Sequence, residues 1–296
     1  MDFNLTEEQL MIQQAARDFA QTELLPGVIE RDNEQKFPYE QVKKMGELGF
    51  LGMFVDPKYG GSGLDYVSYV VAMEEIAKVD ASAAVVMSVN NSLVCAGLEK
   101  FASEEQKQKY LVPLAKGEVI GAFALSEPEA GSDATSQKTT AVDMGDHYLL
   151  NGIKNWITNG GNAQYYLVIA QTDVEKKHKG INAFIVEKGW EGFEIGKKED
   201  KLGIRGSDTH SLMFTNVKVP KENRIGEDGF GFQFAMQVLN GGRIGIASQA
   251  LGIASGAYEL ALKYSKERKA FGTEIINHQA IAFKLADMHT QIMAAR

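Results

Sequence analysis

A chain of 296 residues, 44% hydrophobic and 24% charged, is long enough for two or three domains around a large core. Its formal net charge of −8 argues against a nucleic-acid backbone as partner. Its one cysteine, Cys95, excludes an internal disulfide and a cysteine-rich metal site, and lies in an apolar stretch where it reads as a small core residue.

The N-terminus, MDFNLTEEQL, is acidic and amphipathic and has no apolar signal-peptide region. Runs of 18 or more apolar residues, the usual mark of a membrane span, are not found. The expectation is a cytoplasmic protein with no membrane partner. Thr6-Glu7-Glu8-Gln9 is a capping box, and behind it Met11, Ala15 and Phe19 beside Ile12 and Ala16 predict an amphipathic helix to about Glu23. Pro38 opens a second helix that ends near Gly46 and Gly49. Val67 to Lys78 and Ala81 to Lys100 read as two more, the second nearly apolar and therefore buried. A second capping box, Ser103-Glu104-Glu105-Gln106, starts a helix to about Lys116.

At Ile120 the period changes. Ile120 to Leu125 reads as a buried strand and Lys138 to Val142 alternates as another. Asn151-Gly152 between His147–Leu150 and Ile153–Thr158 predicts a hairpin turn. Tyr165 to Thr172, Ala183 to Glu187, Phe193 to Ile195 and Leu212 to Val219 are further strands with no helix between them, which predicts an antiparallel β domain. After Pro220 the pattern is helical again: Gly229 to Leu239, Gly242 to about Lys269, and His278 to Arg296. The expected architecture is α+β and multidomain: a helical domain over 1–119, a middle β domain over 120–222 and a helical bundle over 223–296.

Leu285, Met288 and Ile292 form an apolar side that has no partner in the sequence and is unbroken at Arg296. Either such proteins continue past this residue, or the chain is a fragment.

The stretch Phe123 to Ser136, FALSEPEAGSDATS, draws the chemistry together. A strand stops at Ser126-Glu127-Pro128, and the small, turn-prone Ala130-Gly131-Ser132-Asp133 follows. Exposed amides and hydroxyls at the end of a strand suit either an ordinary acidic turn or a loop that holds a polar cofactor against a rigid sheet. Trp156 is either a core tryptophan or an aromatic face for a planar ligand, and Arg268 either one charge of a solvated helix face or a phosphate partner. Gly61-Ser62-Gly63-Leu64-Asp65-Tyr66 lacks the last glycine of a dinucleotide fingerprint. P-loop, HExxH and Ser-His-Asp patterns do not occur, the five histidines are scattered, and no metal is expected.

Position by position, Ala124 to Ser136 resembles the flavin-loop signature of the acyl-CoA dehydrogenases. Asn151-Gly152-x-Lys154-x-Trp156-Ile157-Thr158-Asn159, Lys201-Leu202-Gly203-x-Arg205-x-Ser207-Asp208-Thr209, and Arg268-Lys269-x-Phe271-Gly272 with His278-Gln279 resemble that family's further motifs. The resemblance runs from the first helix to Arg296, is to the bacterial short-chain, butyryl-CoA type, and leaves out the last helices of the family's bundle. It implies FAD as cofactor, held by Phe123, Leu125, Ser126, Gly131, Ser132, Trp156, Ile157, Thr158, Arg268, Phe271 and Gln279. It also implies an acyl-CoA substrate touched by Ser132, Asn240 and Arg243, with the glycines around Arg243 letting the ligand approach the backbone.

The implied reaction is α,β-dehydrogenation of a short acyl-CoA, with electrons passed to an electron-transfer flavoprotein. The implied assembly is a homotetramer, a dimer of dimers, in which Arg268, Phe271 and Gln279 reach a neighbour's FAD. Of the family's two positions for the catalytic base, one is Gly242 here and the other is expected beyond Arg296, so no catalytic residue is assigned. Glutaryl-CoA dehydrogenase, an oxygen-using oxidase, or a flavin- or CoA-binding fragment without turnover stand as alternatives. Acyl length is left open, with Val89 to Leu98 expected to line the pocket.

Overall fold

The computed structural model describes residues 4–296, so the first three residues of the acidic N-terminal stretch lie outside the described residues. Both capping boxes form. Thr6 Oγ1 accepts from the Gln9 amide at 3.2 Å while Gln9 Oε1 accepts from the Thr6 amide at 3.0 Å, and Ser103 and Gln106 repeat the exchange. The helices that follow are α1 (Glu7–Phe19), α2 (Val28–Asn33), α3 (Tyr39–Glu47), α4 (Tyr66–Val79), α5 (Ala81–Phe101) and α6 (104–115).

By length and composition α5 could cross a membrane, but 78% of its apolar window is buried inside the protein. Asn90 and Asn91 sit in its middle as fully buried polar residues. Asn90 donates to the Leu51 and Leu114 carbonyls and accepts from the Gly121 amide at 3.0 Å, so a buried amide ties α5 to the first strand.

The strands are β1 (Gly121–Ala124), β2 (Thr140–Asp143), β3 (His147–Thr158), β4 (Tyr165–Gln171), β5 (Ile181–Glu187), β6 (Phe193–Lys198), β7 (Thr209–Pro220) and β8 (Arg224–Ile225). They form one eight-stranded sheet in the order β6-β7-β3-β2-β4-β5-β8, with β1 beside β4. Pairing is antiparallel except where β4 meets β1 and β2, so the expected antiparallel domain is a mixed sheet. Leu167 and Ile169 of β4 face one core cluster, with Leu98, Leu114 and Phe234. Tyr166, Val168 and Ala170 face another, with Tyr148, Phe184 and Phe214.

The hairpin expected at Asn151-Gly152 does not form. β3 runs straight through, because strands on both sides claim it: Asn151 pairs with Thr140 of β2 and Gly152 with Phe214 of β7. Gly152 serves close approach instead, since a Cβ there would stand 2.4 Å from Thr139 Oγ1.

The two helices expected over 229–239 and 242–269 are one, α7 (Gly231–Glu267). Its glycines face neighbouring elements rather than breaking it. A Cβ at Gly252 would lie 2.5 Å from the Glu74 carbonyl and one at Gly256 2.3 Å from that of Lys78, so α7 rests backbone to backbone on α4. A small hairpin, β9 (Lys269–Ala270) and β10 (Thr273–Glu274), leads to α8 (Gln279–Ala295). The expected partnerless side of α8 is corrected: Leu285 and Ile292 are buried, because α8 packs on α7, and Met288 alone of the three is exposed. Arg296 donates to the buried Glu74 carboxylate and to Ser255 Oγ.

Candidate functional site

The loop after β1 is closed by a buried ion pair. Lys154, on β3, has a fully buried side chain whose ammonium donates to Glu127 Oε1 at 2.7 Å, the Leu125 carbonyl at 3.0 Å and Gln137 Oε1 at 3.3 Å. Glu127 in turn accepts from the backbone amides of Lys138 and Thr139. Burial pulls Lys154 down to about 8, against the charge of Glu127. Burial pushes the Glu127 carboxyl up, but the ammonium and the amide donors outweigh it and hold the group below the usual carboxylate range. Within the loop, Glu127 and Ala130 exchange backbone hydrogen bonds, and Asp133 accepts from the Thr135 and Ser136 hydroxyls.

The Asn155 amide donates to the Ser126 carbonyl at 2.9 Å, which brings the loop against β3 where a bulge interrupts the ladder between Lys154 and Ile157. Trp156 sits in that bulge at φ +56° and is 57% exposed. A large side chain in left-handed backbone, turned outward, is a local strain held by the strand on either side. Regular alternation sends Lys154 inward, and the bulge after it sends Trp156 outward. Ile157 is buried, and Thr158 pairs with Thr209 of β7. The turn after β3 is fixed by Asp208, which accepts from the Gly161 amide and Asn162 Nδ2 and lies 2.6 Å from His210 Nε2.

Ser126 lies against the β3 bulge that precedes Ile157 and Thr158 and holds Trp156; Gly131 and Ser132 are exposed farther along the loop, and Phe123 and Leu125 are half-buried against the core shared with α7. Among the described residues the hydroxyls of Ser126, Ser132 and Thr158 and the Trp156 indole N–H make no hydrogen bond, and nothing lies within 4 Å of where a Gly131 Cβ would be. Free hydroxyls and an exposed aromatic plane can hydrogen-bond and stack with a planar polar ligand. The far end of the loop, Thr135 to Gln137, borders a cleft of about 500 Å³ with Gln171, Lys177 and His178.

Arg268, Phe271 and Gln279 stand apart. Among the described residues no hydrogen bond joins them to the loop or to Trp156. Arg268 follows the last turn of α7 with an exposed side chain, Phe271 is 97% exposed at the tip of the β9–β10 hairpin, and Gln279 is exposed at the start of α8. Asn240 and Arg243 are exposed on α7, where Arg243 Nη1 donates to Asn240 Oδ1. Contrary to the expectation from the sequence, Gly242 and Gly245 do not open the backbone to a ligand. Gly242 is covered by Leu93 and Gly245 by the Tyr69 hydroxyl; Gly241 alone borders a cleft, of about 260 Å³, with Phe54, Tyr66, Ser92 and Ala96. Most of Val89 to Leu98 is core rather than pocket wall, because its asparagines are spent on backbone groups.

The domain models of the acyl-CoA dehydrogenase family match almost the whole chain: the N-terminal domain over 6–118, the middle domain over 122–217 and the C-terminal domain over 229–296. The chain belongs to the acyl-CoA dehydrogenase family. It is 52% identical over 296 residues to a short-chain specific acyl-CoA dehydrogenase of Clostridium acetobutylicum, covering 100% of this chain and 78% of that one. Against the human mitochondrial short-chain enzyme the identity is 51%, over 99% and 71%. Among solved structures, butyryl-CoA dehydrogenase from Megasphaera elsdenii superposes with a TM-score of 0.97 at 49% identity, over 99% of this chain and 78% of that one. A chain from work on the electron transferring flavoprotein of Acidaminococcus fermentans and flavin-based electron bifurcation gives 0.98 at 52%, over 99% and 77%.

As an acyl-CoA dehydrogenase the protein is an FAD-dependent oxidoreductase. Sequence reasoning gave Lys154 and Glu127 no role. The available signal was a lysine on the inward alternation of a strand, opposite a glutamate in a loop of small residues. Among the described residues no group of three or more histidine, cysteine or acidic side chains could hold a metal.

Proposed function

We propose that this acyl-CoA dehydrogenase removes the α and β hydrogens of a short-chain acyl-CoA of the butyryl type, forming the trans-2-enoyl-CoA and passing electrons to an electron-transfer flavoprotein. The observation that carries the reading is the loop after β1 with its unpaired Ser126 and Ser132 hydroxyls, tied by Ser126 to the β3 bulge that exposes Trp156, in a chain about half identical to short-chain members of the family. FAD, when bound, supplies a hydride acceptor for the β-hydrogen. Ser126, Ser132 and the amide of Gly131 offer hydrogen bonds to its ring and ribityl chain, Trp156 covers its face, and Ile157 and Thr158 meet its polar edge. Asn240 and Arg243 hold the adenosine end of CoA, and Ser132 its pantetheine. No side chain here is assigned as the base for the α-proton, since Gly242 offers none.

The exposed group Arg268, Phe271 and Gln279 serves the flavin of a neighbouring subunit in a homotetramer. What supports this is that all three are exposed and that, among the described residues, their side chains make no hydrogen bond or ion pair. Arg268→Ala is therefore expected to leave thermal unfolding unchanged and to lower FAD retention through gel filtration. Full flavin occupancy in that variant would rule the role out. A reducing cytoplasm suits the single buried thiol, which burial keeps protonated and inert.

The direct test is anaerobic. Added butyryl-CoA is expected to bleach the flavin absorbance of the yellow, FAD-loaded protein, and more so than glutaryl-CoA. A yellow protein inert to both would make this a binding module, and a preference for glutaryl-CoA would move it to another branch of the family.

A further inference from the structure

The Lys154–Glu127 pair ties together groups that lie far apart along one loop. Its partners come from both ends of one loop: the Leu125 carbonyl at the start, Gln137 Oε1 and the amides of Lys138 and Thr139 at the end. The ammonium's three hydrogens have three acceptors, so it is satisfied without water. Between those ties runs Ser126 to Ser136, where Asp133 holds the Thr135 and Ser136 hydroxyls and, among the described residues, the Ser126 and Ser132 hydroxyls make no hydrogen bond. Lys154 also lies two residues before Trp156, in the bulge that turns the indole outward.

A buried ion pair is a poor source of stability, because desolvation of both charges offsets their attraction. It is a good source of geometry, because each charge demands all its partners at once. We infer that the Lys154–Glu127 pair is a positioning device for the cofactor: it closes the loop and sets the bulge in their FAD-binding shape before FAD arrives. Lys154 and Glu127 are positioning residues, not groups that touch the flavin. The inference rests on the reading of Ser126–Ser136 and Trp156 as the flavin edge.

Stability and cofactor affinity should separate in a two-step substitution. Lys154→Met leaves Glu127 charged, buried and without its cation, and is expected to lower both the unfolding midpoint and FAD affinity. Adding Glu127→Gln removes the stranded charge. In this double variant the unfolding midpoint should return close to wild type, while the FAD dissociation constant, read by quenching of flavin fluorescence on addition to FAD-free protein, stays raised on the order of tenfold or more, the cost of ordering a loop on binding. In the FAD-free proteins, hydrogen exchange should show the amides of Lys138 and Thr139 protected in wild type and exposed in the double variant. Gln137→Leu removes one tie and no charge; it should raise the dissociation constant by a smaller factor and keeps the test available should the double variant not fold.

If FAD affinity recovers together with the unfolding midpoint, the pair is structural only and the inference fails. If the loop amides exchange as expected but wild-type protein binds no FAD, the flavin reading itself is wrong, and the tether then has no cofactor role.

Discussion

Phe234→Ala is expected to destabilise the protein by about 3–5 kcal/mol, the range for truncating a buried aromatic to alanine. Phe234 is fully buried near the start of α7, its ring edge-on to Phe101 at 5.6 Å. A Cβ on Gly97 would lie 2.9 Å from its tip, so the space it leaves is walled by α5 and cannot close without backbone movement. The cluster it anchors holds Val94 and Leu98 of α5, Leu111 and Leu114 of α6, and Leu167, Ile169 and Ile185 of the sheet. It is the place where both helical regions and one sheet face meet, and Phe123 and Leu125, at the root of the loop after β1, pack against it. Native stability is about 5–15 kcal/mol, so this one substitution would remove a large share. Chemical denaturation followed by far-UV circular dichroism measures it. A loss under about 1 kcal/mol would mean that this cluster does not join the three regions.

Trp156→Gly is expected to act in two opposite directions. Trp156 holds φ +56°, a conformation that costs a non-glycine residue about 1–3 kcal/mol and glycine almost nothing. Its side chain is more than half exposed, so little packing is lost with it. The gain is reduced by the larger unfolded-state entropy of glycine, leaving stability unchanged or raised by up to about 1 kcal/mol. FAD affinity should fall, because an exposed aromatic plane that a flavin would cover is gone. Covering a large apolar side chain is worth about 1.5–3 kcal/mol, which is roughly a tenfold to hundredfold change in dissociation constant. Denaturation and flavin titration of the same preparation read both. A variant that is destabilised yet binds FAD as wild type would place Trp156 in the framework and not at the cofactor.

The two substitutions separate what neighbouring residues decide from what distant ones decide. The capping boxes at Thr6 and Ser103 form because the partners are three residues apart. The change of period at Ile120 marks the passage to β structure, because side-chain alternation is a property of consecutive residues. The small-residue loop after β1 and its free hydroxyls were legible for the same reason, as was the family resemblance they carry.

The sequence misled where the same local signal has two physical uses. Asn151-Gly152 is a turn when nothing else competes for the strand; here β2 and β7 flank it, and the glycine lets Thr139 come close. Gly241-Gly242 would end an isolated helix, but α7 continues because Leu93 covers Gly242, and farther along Gly252 and Gly256 admit the α4 carbonyls. β4 lies parallel to β1 and β2 because chain segments dozens of residues apart meet there. Lys154 reads as one more charged residue until the fold buries it against Glu127, 27 residues earlier in the chain. By itself the sequence determined the capped helix starts at Thr6 and Ser103, the β character of the middle region and the small-residue loop after β1. Tertiary structure decided strand partners, the uses of the glycines and the closure of that loop, because each depends on a surface that exists only once distant segments have packed.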